Sequence, residues 1–425
     1  MMTALQDTQA PCRRCKEPDA PYKLRSLPTC RGCVVDYVES KVVKRFGVLT
    51  KETRTSTKPV PRRYLAGLSF GPSSSLLAQL LDKTAEYHAS RKASSPFEPL
   101  VVHVDTDLSR PAPDAPADAD TPAALRLAKY RQRFPHVAFE CVHLTKALAL
   151  KTIDWSALPP LPETAAAAAA GAGTPGTGTE TSTADDADRL RRFFDALPSP
   201  SSRADVLRLL VRHILLHVAM ERSYSALLLA HNTTTLASLT LAEVANGRGF
   251  AVPWEVNDGL FTVCTYEQQD QRTGHPGRET SRTQFPIYHP VREVLKSEVS
   301  LYIDLVDSLA DLVPRPGGTP AAAAAVVSHR DLSIEDVMAR YFDNVEGPHS
   351  GIIANVVRTA GKLDRPAAGS AFCCLCGIVL DEDGDSRWAG ELGDSPAEAA
   401  EGAEQEQDRA APSRLCYGCK RSING

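Results

Sequence analysis

The stretch LSFGPSSSLLAQLL, residues 68–81, has the layout of a phosphate-binding loop. An apolar run over residues 64–68 predicts a strand, small residues form a turn, and residues 75–88 predict a helix. In such a loop, backbone N–H groups and the positive end of the helix dipole hold phosphate. The stretch therefore predicts an α/β domain, with either a nucleotide site or a simple helix-capping turn at the loop.

The loop keeps only part of the S-G-G-x-D-S pattern of pyrophosphatase-type nucleotide loops. Ser69, Gly71 and Ser74 match that pattern. Phe70 replaces a glycine, and its Cβ is unfavourable where the turn needs a positive φ. Ser73 replaces the Asp that would hold magnesium or orient ATP. We therefore predict a degenerate nucleotide site, which argues against ATP as a ligand.

Strand and helix patterns alternate along the rest of the chain. Strands are predicted at 99–107, 136–144 and 225–232, extended chain at 249–256, and helices at 34–47, 121–134, 202–221, 233–247 and 290–309. The alternation predicts a parallel sheet with helices on both faces. Gly247 is expected to cap the helix that precedes it.

The length of 425 residues allows two or three domains. We predict a zinc-binding basic module (1–50), an α/β domain (60–313) with low-complexity inserts at 111–122 and 163–188, a linker (314–325), and a C-terminal helical segment with a second cysteine cluster and an acidic insert at 382–408 (326–425). Residues 12–63 carry 14 Lys and Arg against 5 Asp and Glu. This basic front end favours a polyanionic partner.

Two cysteine clusters contain most of the eleven cysteines. The predicted metal ligands are Cys12, Cys15, Cys30 and Cys33 in the first cluster and Cys373, Cys376, Cys416 and Cys419 in the second. Each C-x2-C pair directs two thiolates at one metal, and two pairs complete a tetrahedral zinc site. The alternative is a set of reduced thiols without metal. Cys374 is expected to be a small apolar filler.

No segment predicts a membrane span or a secretory signal. The apolar stretch 206–220 is too short and contains two Arg and two His. The N-terminus lacks a cationic start followed by an apolar run. Many cysteines without a secretory signal favour metal binding over disulfides. We therefore expect a cytoplasmic protein.

A second stretch, LAHNTTTLA at residues 229–237, resembles the G-H-N-x-D-D-x-A segment of tRNA sulfur-transfer enzymes that carry such a loop. His231 and Asn232 match this segment and extend the predicted nucleotide site. Thr234 and Thr235 stand where those enzymes have acidic residues. Carboxylates are therefore missing from both motifs.

Further stretches resemble one family, namely GRGFAVPW (247–254), YHPVREVLKSEVSLY (288–302) and VVRTAGKL (356–363) before a C-x2-C pair. Because these stretches occur in the family's order, the chain resembles the cytoplasmic tRNA 2-thiolation protein 2 family. The resemblance implies an α/β, parallel-sheet PP-loop ATPase-like fold (adenine nucleotide alpha hydrolase-like, Rossmann-like) flanked by two zinc-ribbon-like cysteine clusters.

The resemblance also implies a non-catalytic subunit of a heterodimer. Its catalytic paralogue adenylates the wobble uridine of tRNA Lys, Glu and Gln with ATP and takes sulfur from a thiocarboxylated ubiquitin-like carrier. Protein conjugation of that carrier, called urmylation, is a further implied role. The paralogue uses paired cysteines in its α/β domain, whereas no C-x2-C lies between residues 34 and 372 here.

Basic residues beside the first cysteine cluster predict tRNA contacts. The predicted residues are Arg13, Arg14, Lys16, Arg31, Lys41, Lys44 and Arg45. A solvated basic face is the alternative. Arg208 and Arg212, one turn apart on the 202–221 helix, are expected to form a solvated stripe, and His213 and His217 are expected to pack rather than bind metal.

Two other functions compete with the companion-subunit hypothesis. The chain could itself be an ATP-dependent tRNA sulfurtransferase with Cys141 or Cys264 as the sulfur carrier, although each cysteine sits in a pattern typical of core residues. It could also be a zinc-ribbon scaffold for protein partners without a role in RNA binding. Binding of ATP and of tRNA separates these hypotheses.

Overall fold

The computed structural model describes residues 10–53, 62–91, 97–111, 121–159, 183–267, 277–313, 332–365, 371–380 and 415–425. The predicted linker 314–325 and the acidic insert 382–408 lie outside these residues, as does most of the two low-complexity inserts. The second insert ends earlier than predicted, because a helix begins at Thr183.

The described chain contains the following elements. The strands are β1 (Tyr22–Leu24), β2 (Leu27–Thr29), β3 (Arg62–Gly67), β4 (Phe97–Asp105), β5 (Ala138–His143), β6 (Ala226–Leu228), β7 (Gly259–Tyr266) and β8 (Glu279–Tyr288). The helices are α1 (Arg31–Glu52), α2 (Pro72–Ala89), α3 (Pro122–Arg133), α4 (Thr183–Ala196), α5 (Pro200–Glu221), α6 (Thr233–Ala245), α7 (Val252–Val256), α8 (Lys296–Leu305), α9 (Asp307–Ala310), α10 (Ile334–Ala360) and α11 (Tyr417–Asn424).

Six strands form one sheet in the order β5-β4-β3-β6-β8-β7. All neighbours are parallel except β7, which pairs antiparallel with β8 at the edge. The predicted parallel sheet is therefore confirmed, with an antiparallel edge strand added to it. The chain passes from β3 to β4 on one side and later places β6 on the other side, so the strand order reverses at β3. Such a switch point leaves a crevice at the carboxyl ends of the strands.

The central strands are buried on both faces, as their continuous apolar sequence requires. Leu65 and Leu227 face α5 and the second cysteine cluster. Tyr64 and Ala66 face the opposite side, which α1, α2 and α8 cover. This alternation follows from the two-residue period of a strand, and it fixes which side of the sheet each helix packs on.

Two predicted elements differ in the structure. Residues 249–256 are not extended, because they form a 3₁₀ turn followed by α7. Pro253 lies in the first turn of α7, where its fixed φ favours a helix. The predicted helix 290–309 begins only at Lys296, where Glu298 Oε2 accepts from the Leu295 N–H at 2.9 Å. It is then broken at Val306, whose φ of −109° and ψ of 100° are extended.

Gly247 ends α6 with a φ of +77°, as predicted for a cap. A Cβ at this position would lie 2.5 Å from the Tyr417 ring of α11. We expect Gly247→Ala to lower the free energy of unfolding by about 2–4 kcal/mol, from the left-handed backbone and the clash together. Urea unfolding measures this change.

The matched control is Gly47→Ala in α1, where no atom lies within 4 Å of the new Cβ. That variant is expected to gain about 0.5–1 kcal/mol, because alanine favours a helix interior over glycine. Equal effects of the two substitutions would contradict the predicted role of Gly247.

Candidate functional site

A cleft of about 570 Å³ opens at the carboxyl ends of β3 and β6. The loop after β3 forms one wall, the start of α6 forms another, and α8 and α10 complete the mouth. All six residues of the predicted nucleotide site line this cleft, namely Ser69, Gly71, Ser73, Ser74, His231 and Asn232. The fold therefore brings together the two motifs that lie far apart in sequence.

The polar groups of the loop bind one another. Ser74 Oγ accepts from the Ser69 N–H at 3.2 Å and donates to the Gly71 carbonyl at 3.1 Å. Asn232 caps α6 through its side-chain oxygen and donates from Nδ2 to Ser73 Oγ at 2.9 Å. These contacts fix the loop against α6 and occupy hydroxyl groups that would otherwise face a ligand.

Phe70 adopts the backbone conformation expected of a glycine in this loop, but it adds a buried aromatic ring. Its φ is +58°, so the turn does adopt the conformation that glycine takes most easily. The side chain is 6% exposed, with its ring centroid 4.3 Å from that of His103 and 5.4 Å from that of Tyr130. Burial of the ring offsets the cost of the left-handed backbone. The shape of a phosphate loop is therefore retained with an aromatic anchor.

The threonines at the start of α6 take structural roles. Thr234 donates to Glu346 of α10 and accepts from the Lys296 N–H at 3.1 Å. Glu346 also accepts from the Ser297 N–H at 2.6 Å. At the mouth, Lys296 Nζ lies 2.7 Å from Asp343. Among the described residues that line the cleft, Lys296 is the only cation, and a carboxylate already neutralises it.

His231, which lines the cleft, stacks on the buried His289, with ring centroids 5.2 Å apart and an interplanar angle of 21°. Burial, followed by the neighbouring His289 and Arg208, lowers the pKa of His231 to about 3. Burial and Arg292 lower the pKa of His289 to about 3. His289 Nδ1 lies 3.3 Å from Asp258 Oδ1, so a neutral imidazole faces that carboxylate at neutral pH.

The depressed pKa of His289 predicts sensitivity to acid. Below pH 6.5 the unfolded chain binds a proton that the folded protein excludes, so stability falls as the pH drops from 6.5 toward 3. At pH 5 this group is expected to cost about 2 kcal/mol. His289→Gln should remove that part of the pH dependence in urea unfolding at pH 7.5 and pH 5. An unchanged pH dependence would contradict the prediction.

The expectation of a solvated arginine stripe on α5 is wrong. Arg212 is 7% exposed and pairs with Glu255, and Arg208 Nη1 lies 3.0 Å from Glu255 Oε2. Both belong to a buried ionic cluster, defined here as Asp205, Arg208, Arg212, Glu243, Arg248 and Glu255. Glu243 and Glu255, which pair with these arginines, lie in α6 and α7, and helical spacing on α5 reveals only the pair of Arg208 with Asp205.

The expectation that His213 packs is confirmed, because it is 2% exposed and bonded to Thr152 and to the Leu375 carbonyl. His213 Nε2 lies 2.8 Å from the Leu375 carbonyl oxygen, and Leu375 stands between Cys373 and Cys376 of the second cluster in the sequence. Cys374 is 0% exposed, as an apolar filler should be.

The two cysteine clusters repeat one local geometry. Cys12 donates its N–H to the Glu17 carbonyl at 2.7 Å and accepts from the Lys16 N–H at 2.9 Å, with a φ of 69° at Lys16. Cys373 makes the same pair of bonds with Ile378 at 2.8 Å and Gly377 at 2.9 Å, and Gly377 has a φ of 70°. The second C-x2-C pair of each cluster begins at a helix N-cap, at Cys30 for α1 and Cys416 for α11.

Each cluster has the dimensions of a single tetrahedral metal site. The four Sγ atoms lie within 4.8 Å of one another in both clusters. Cys15 and Cys30 are 3.5 Å apart, and Cys376 and Cys416 are 3.8 Å apart, between Sγ atoms. Metal–sulfur bonds of about 2.3 Å in a tetrahedron imply sulfur–sulfur edges of about 3.8 Å. Both predicted ligand sets can therefore hold a metal ion.

The predicted tRNA-binding residues divide into two groups. Three of them bind the α/β domain, with Arg31 donating to the Leu305 carbonyl at 2.6 Å, Lys41 pairing with Glu293 at 3.1 Å and Arg45 pairing with Asp258. Arg14 lies over the Tyr37 ring, 5.2 Å from its centroid, and is exposed. Within the described chain, Arg13, Lys16 and Lys44 are exposed and form no ion pair. Four of the seven residues thus remain open to a polyanion.

Neither of the two candidate sulfur carriers lines the cleft. Cys264 is 3% exposed in β7. Cys141 is half-buried in β5, and burial, followed by Asp105, raises the pKa of its thiol to about 11. Among the residues that the structure describes, no cysteine lines the cleft.

The sequence of this chain is similar to that of one known protein family. The sequence profile of the family described as "Cytoplasmic tRNA 2-thiolation protein 2" matches residues 333–421. A protein of that name from Sclerotinia sclerotiorum is 33% identical over 362 residues, covering 84% of this chain and 83% of the relative. The chain belongs to this family. A family member from Phaeosphaeria nodorum is 30% identical over 419 residues, covering 97% and 94%.

Family membership confirms the resemblance found in the sequence, and the relatives' names confirm the expected cytoplasmic location. The chain therefore has a role in tRNA 2-thiolation. Among solved structures, the U34-tRNA thiolase NcsA from Methanococcus maripaludis, with its [4Fe-4S] cluster, matches with a TM-score of 0.50 and 17% identity, covering 87% of this chain and 96% of that one. This likeness confirms the PP-loop ATPase-like fold.

Several residues of the site escaped the sequence analysis. Glu346 and Asp343 lie in α10, far from both loop motifs, and Arg248 lies at the centre of the buried ionic cluster. Arg248 falls inside the family-like stretch GRGFAVPW, which was the one available signal.

Within the described chain, no helix combines the length and apolar character that a membrane crossing requires.

Proposed function

We propose that this chain is the non-catalytic subunit of a heterodimeric tRNA 2-thiolation enzyme. It would bind a paralogous thiolase and help hold tRNA while the partner performs the chemistry. The proposal rests chiefly on the cleft, which keeps the shape of a phosphate loop but lacks the charges that the chemistry needs.

Activation of uridine by ATP depends on neutralising the charge of the phosphates and on positioning them. In the loop beside this cleft Phe70 replaces a glycine, and at the mouth of the cleft Lys296 is bound to Asp343. Ser73, Thr234 and Thr235 replace the acidic residues of the two motifs, so no carboxylate there can hold magnesium. These replacements favour a subunit that does not turn over ATP.

The finer functional assignment comes from the family. We propose that the heterodimer thiolates the wobble uridine of tRNA Lys, Glu and Gln, giving mcm5s2U. The sulfur would come from a thiocarboxylated ubiquitin-like carrier that binds through the partner subunit. Participation in urmylation by that carrier belongs to the same proposal.

Zinc is the metal we propose for both clusters. Four thiolates at tetrahedral spacing are the usual ligands of a structural zinc ion. The first cluster would hold Cys12, Cys15, Cys30 and Cys33 around one ion and so shape the loop that carries Arg13, Arg14 and Lys16. The second would hold Cys373, Cys376, Cys416 and Cys419 and tie α11 to α5.

Reconstitution tests the proposed division of labour. The purified chain, its paralogue and the mixture are each given tRNA, ATP and the thiocarboxylated carrier, and thiouridine is measured. We expect no product from this chain alone and full product only from the mixture. The proposal would be overturned in favour of the sulfurtransferase alternative if the isolated chain bound magnesium ATP with micromolar affinity and formed thiouridine without its paralogue.

Charge reversal tests the tRNA surface. The variant Arg13→Glu/Lys44→Glu is expected to weaken tRNA binding by the heterodimer at least 10-fold and to reduce its salt dependence. The matched control is Lys129→Glu/Arg133→Glu on α3, which changes two equally exposed cations. Equal losses in the two variants would argue for a nonspecific charge effect and against this surface.

A further inference from the structure

The two cysteine clusters share their local geometry but not their surroundings. In the second cluster the ligands Cys373, Cys376 and Cys419 are 0% exposed and Cys416 is 2% exposed. In the first cluster Cys15 is exposed, and Cys30 and Cys33 are half-buried. Solvent can therefore reach the first site at the exposed Cys15, whereas all four ligands of the second site are buried.

The buried ionic cluster lies directly against the second site. Arg212 donates to the Cys376 carbonyl at 2.7 Å, and Arg248 Nη1 lies 4.0 Å from Cys419 Sγ. Arg248 is 1% exposed and is held in place by Asp205 at 2.8 Å and Glu243 at 2.8 Å. A guanidinium fixed at this place offsets the negative charge of four thiolates around a divalent ion.

The first site has a much weaker surrounding shell. Among the described residues, Arg14 is the one arginine whose side chain bonds the backbone of a ligand of this first site, donating to the Cys33 carbonyl at 3.3 Å. Arg14 is exposed, so water competes for it and screens its charge. In the part of the chain that the structure describes, no buried carboxylate pairs with Arg14.

We propose that the two sites retain metal differently, with the second site locked by the buried ionic cluster and the first site exchanging its metal with solvent. Arg248 is the positioning residue that locks the second site, through charge and through exclusion of competing ligands. A chelator must reach the metal and displace a thiolate, and burial prevents this at the second site. The inference rests on proposed metal occupancy but not on the proposed role with tRNA.

Metal release tests the inference. The full chain is reconstituted with zinc under reducing conditions, counted by mass spectrometry, and mixed with excess 4-(2-pyridylazo)resorcinol. We expect two zinc equivalents, one released at least ~100-fold more slowly than the other. A count below two would show that at least one site holds no zinc and would overturn the inference, whereas two equivalents released in one phase would overturn the difference in retention alone.

Variants assign the phases to the sites. Cys15→Ser should remove the fast phase and keep the slow one. Arg248→Met should speed the slow phase by about 10–100-fold, whereas its counterpart Arg14→Met should leave the slow phase unchanged. If Arg248→Met does not fold, Arg212→Met takes its place, since Arg212 bonds the ligand loop directly. A slow phase that either folded variant leaves unchanged would overturn the role of the ionic cluster.

Discussion

Replacing Cys376 with alanine is expected to empty the second metal site and to lower the free energy of unfolding by at least ~4 kcal/mol. Cys376 is 0% exposed and belongs to the main core, where strands, α5 and α11 meet. Loss of the metal releases α11, which Cys416 and Cys419 otherwise join to the core. It also leaves Arg248 beside fewer thiolates. The zinc content and the thermal unfolding midpoint measure the two effects.

The neighbouring Cys374 provides a matched control, because it is equally buried and is not one of the four grouped ligands. Cys374→Ala should keep both zinc equivalents and cost only about 1 kcal/mol, which is the loss of one buried sulfur. If both variants lost the same stability, or if Cys376→Ala kept two zinc equivalents, the second metal site would be excluded.

Removal of the Asp205 side chain is expected to lower the free energy of unfolding by about 3–5 kcal/mol. Asp205 is 0% exposed, bonds both terminal nitrogens of Arg248, and accepts from Ser422 Oγ at 2.7 Å. Burial opposes its ionisation, but Arg248 and Arg208 outweigh burial and hold the pKa of Asp205 below its usual value. Asp205→Ala leaves the buried Arg248 guanidinium with Glu243 as its one remaining carboxylate partner among the described residues, and urea unfolding measures the cost.

The control for Asp205 is Asp343→Ala at the mouth of the cleft. Asp343 pairs with Lys296 at 2.7 Å, but its side chain is 44% exposed, so the pair should contribute about 0–1 kcal/mol. A cost for Asp205→Ala within 1 kcal/mol of this control would show that the buried cluster does not depend on Asp205. The pair of variants thus separates a buried ion pair from a surface one.

Most of the fold was accessible from the sequence, because strands and helices follow local periodicity. The apolar run 64–68 and the helical pattern 75–88 predicted β3 and α2, which the structure places at Arg62–Gly67 and Pro72–Ala89. The hairpin of β7 and β8 was not predicted. The sequence around Pro253 instead predicted one extended segment, 249–256, which forms α7 and the turn before it in the structure. The candidate site was predicted in its motif residues but not in Glu346 and Asp343, which reach it from α10.

The sequence by itself determined the two local cysteine turns and the loop, because a C-x2-C turn and a strand–turn–helix form from residues that are neighbours in the chain. Only the tertiary structure decided that Arg212 is bonded to Cys376 rather than exposed, and that Thr234 meets Glu346. Those partners lie 164 and 112 residues apart. Helical spacing tells which residues share a face, whereas the packing of distant elements determines whether that face meets water or an opposite charge.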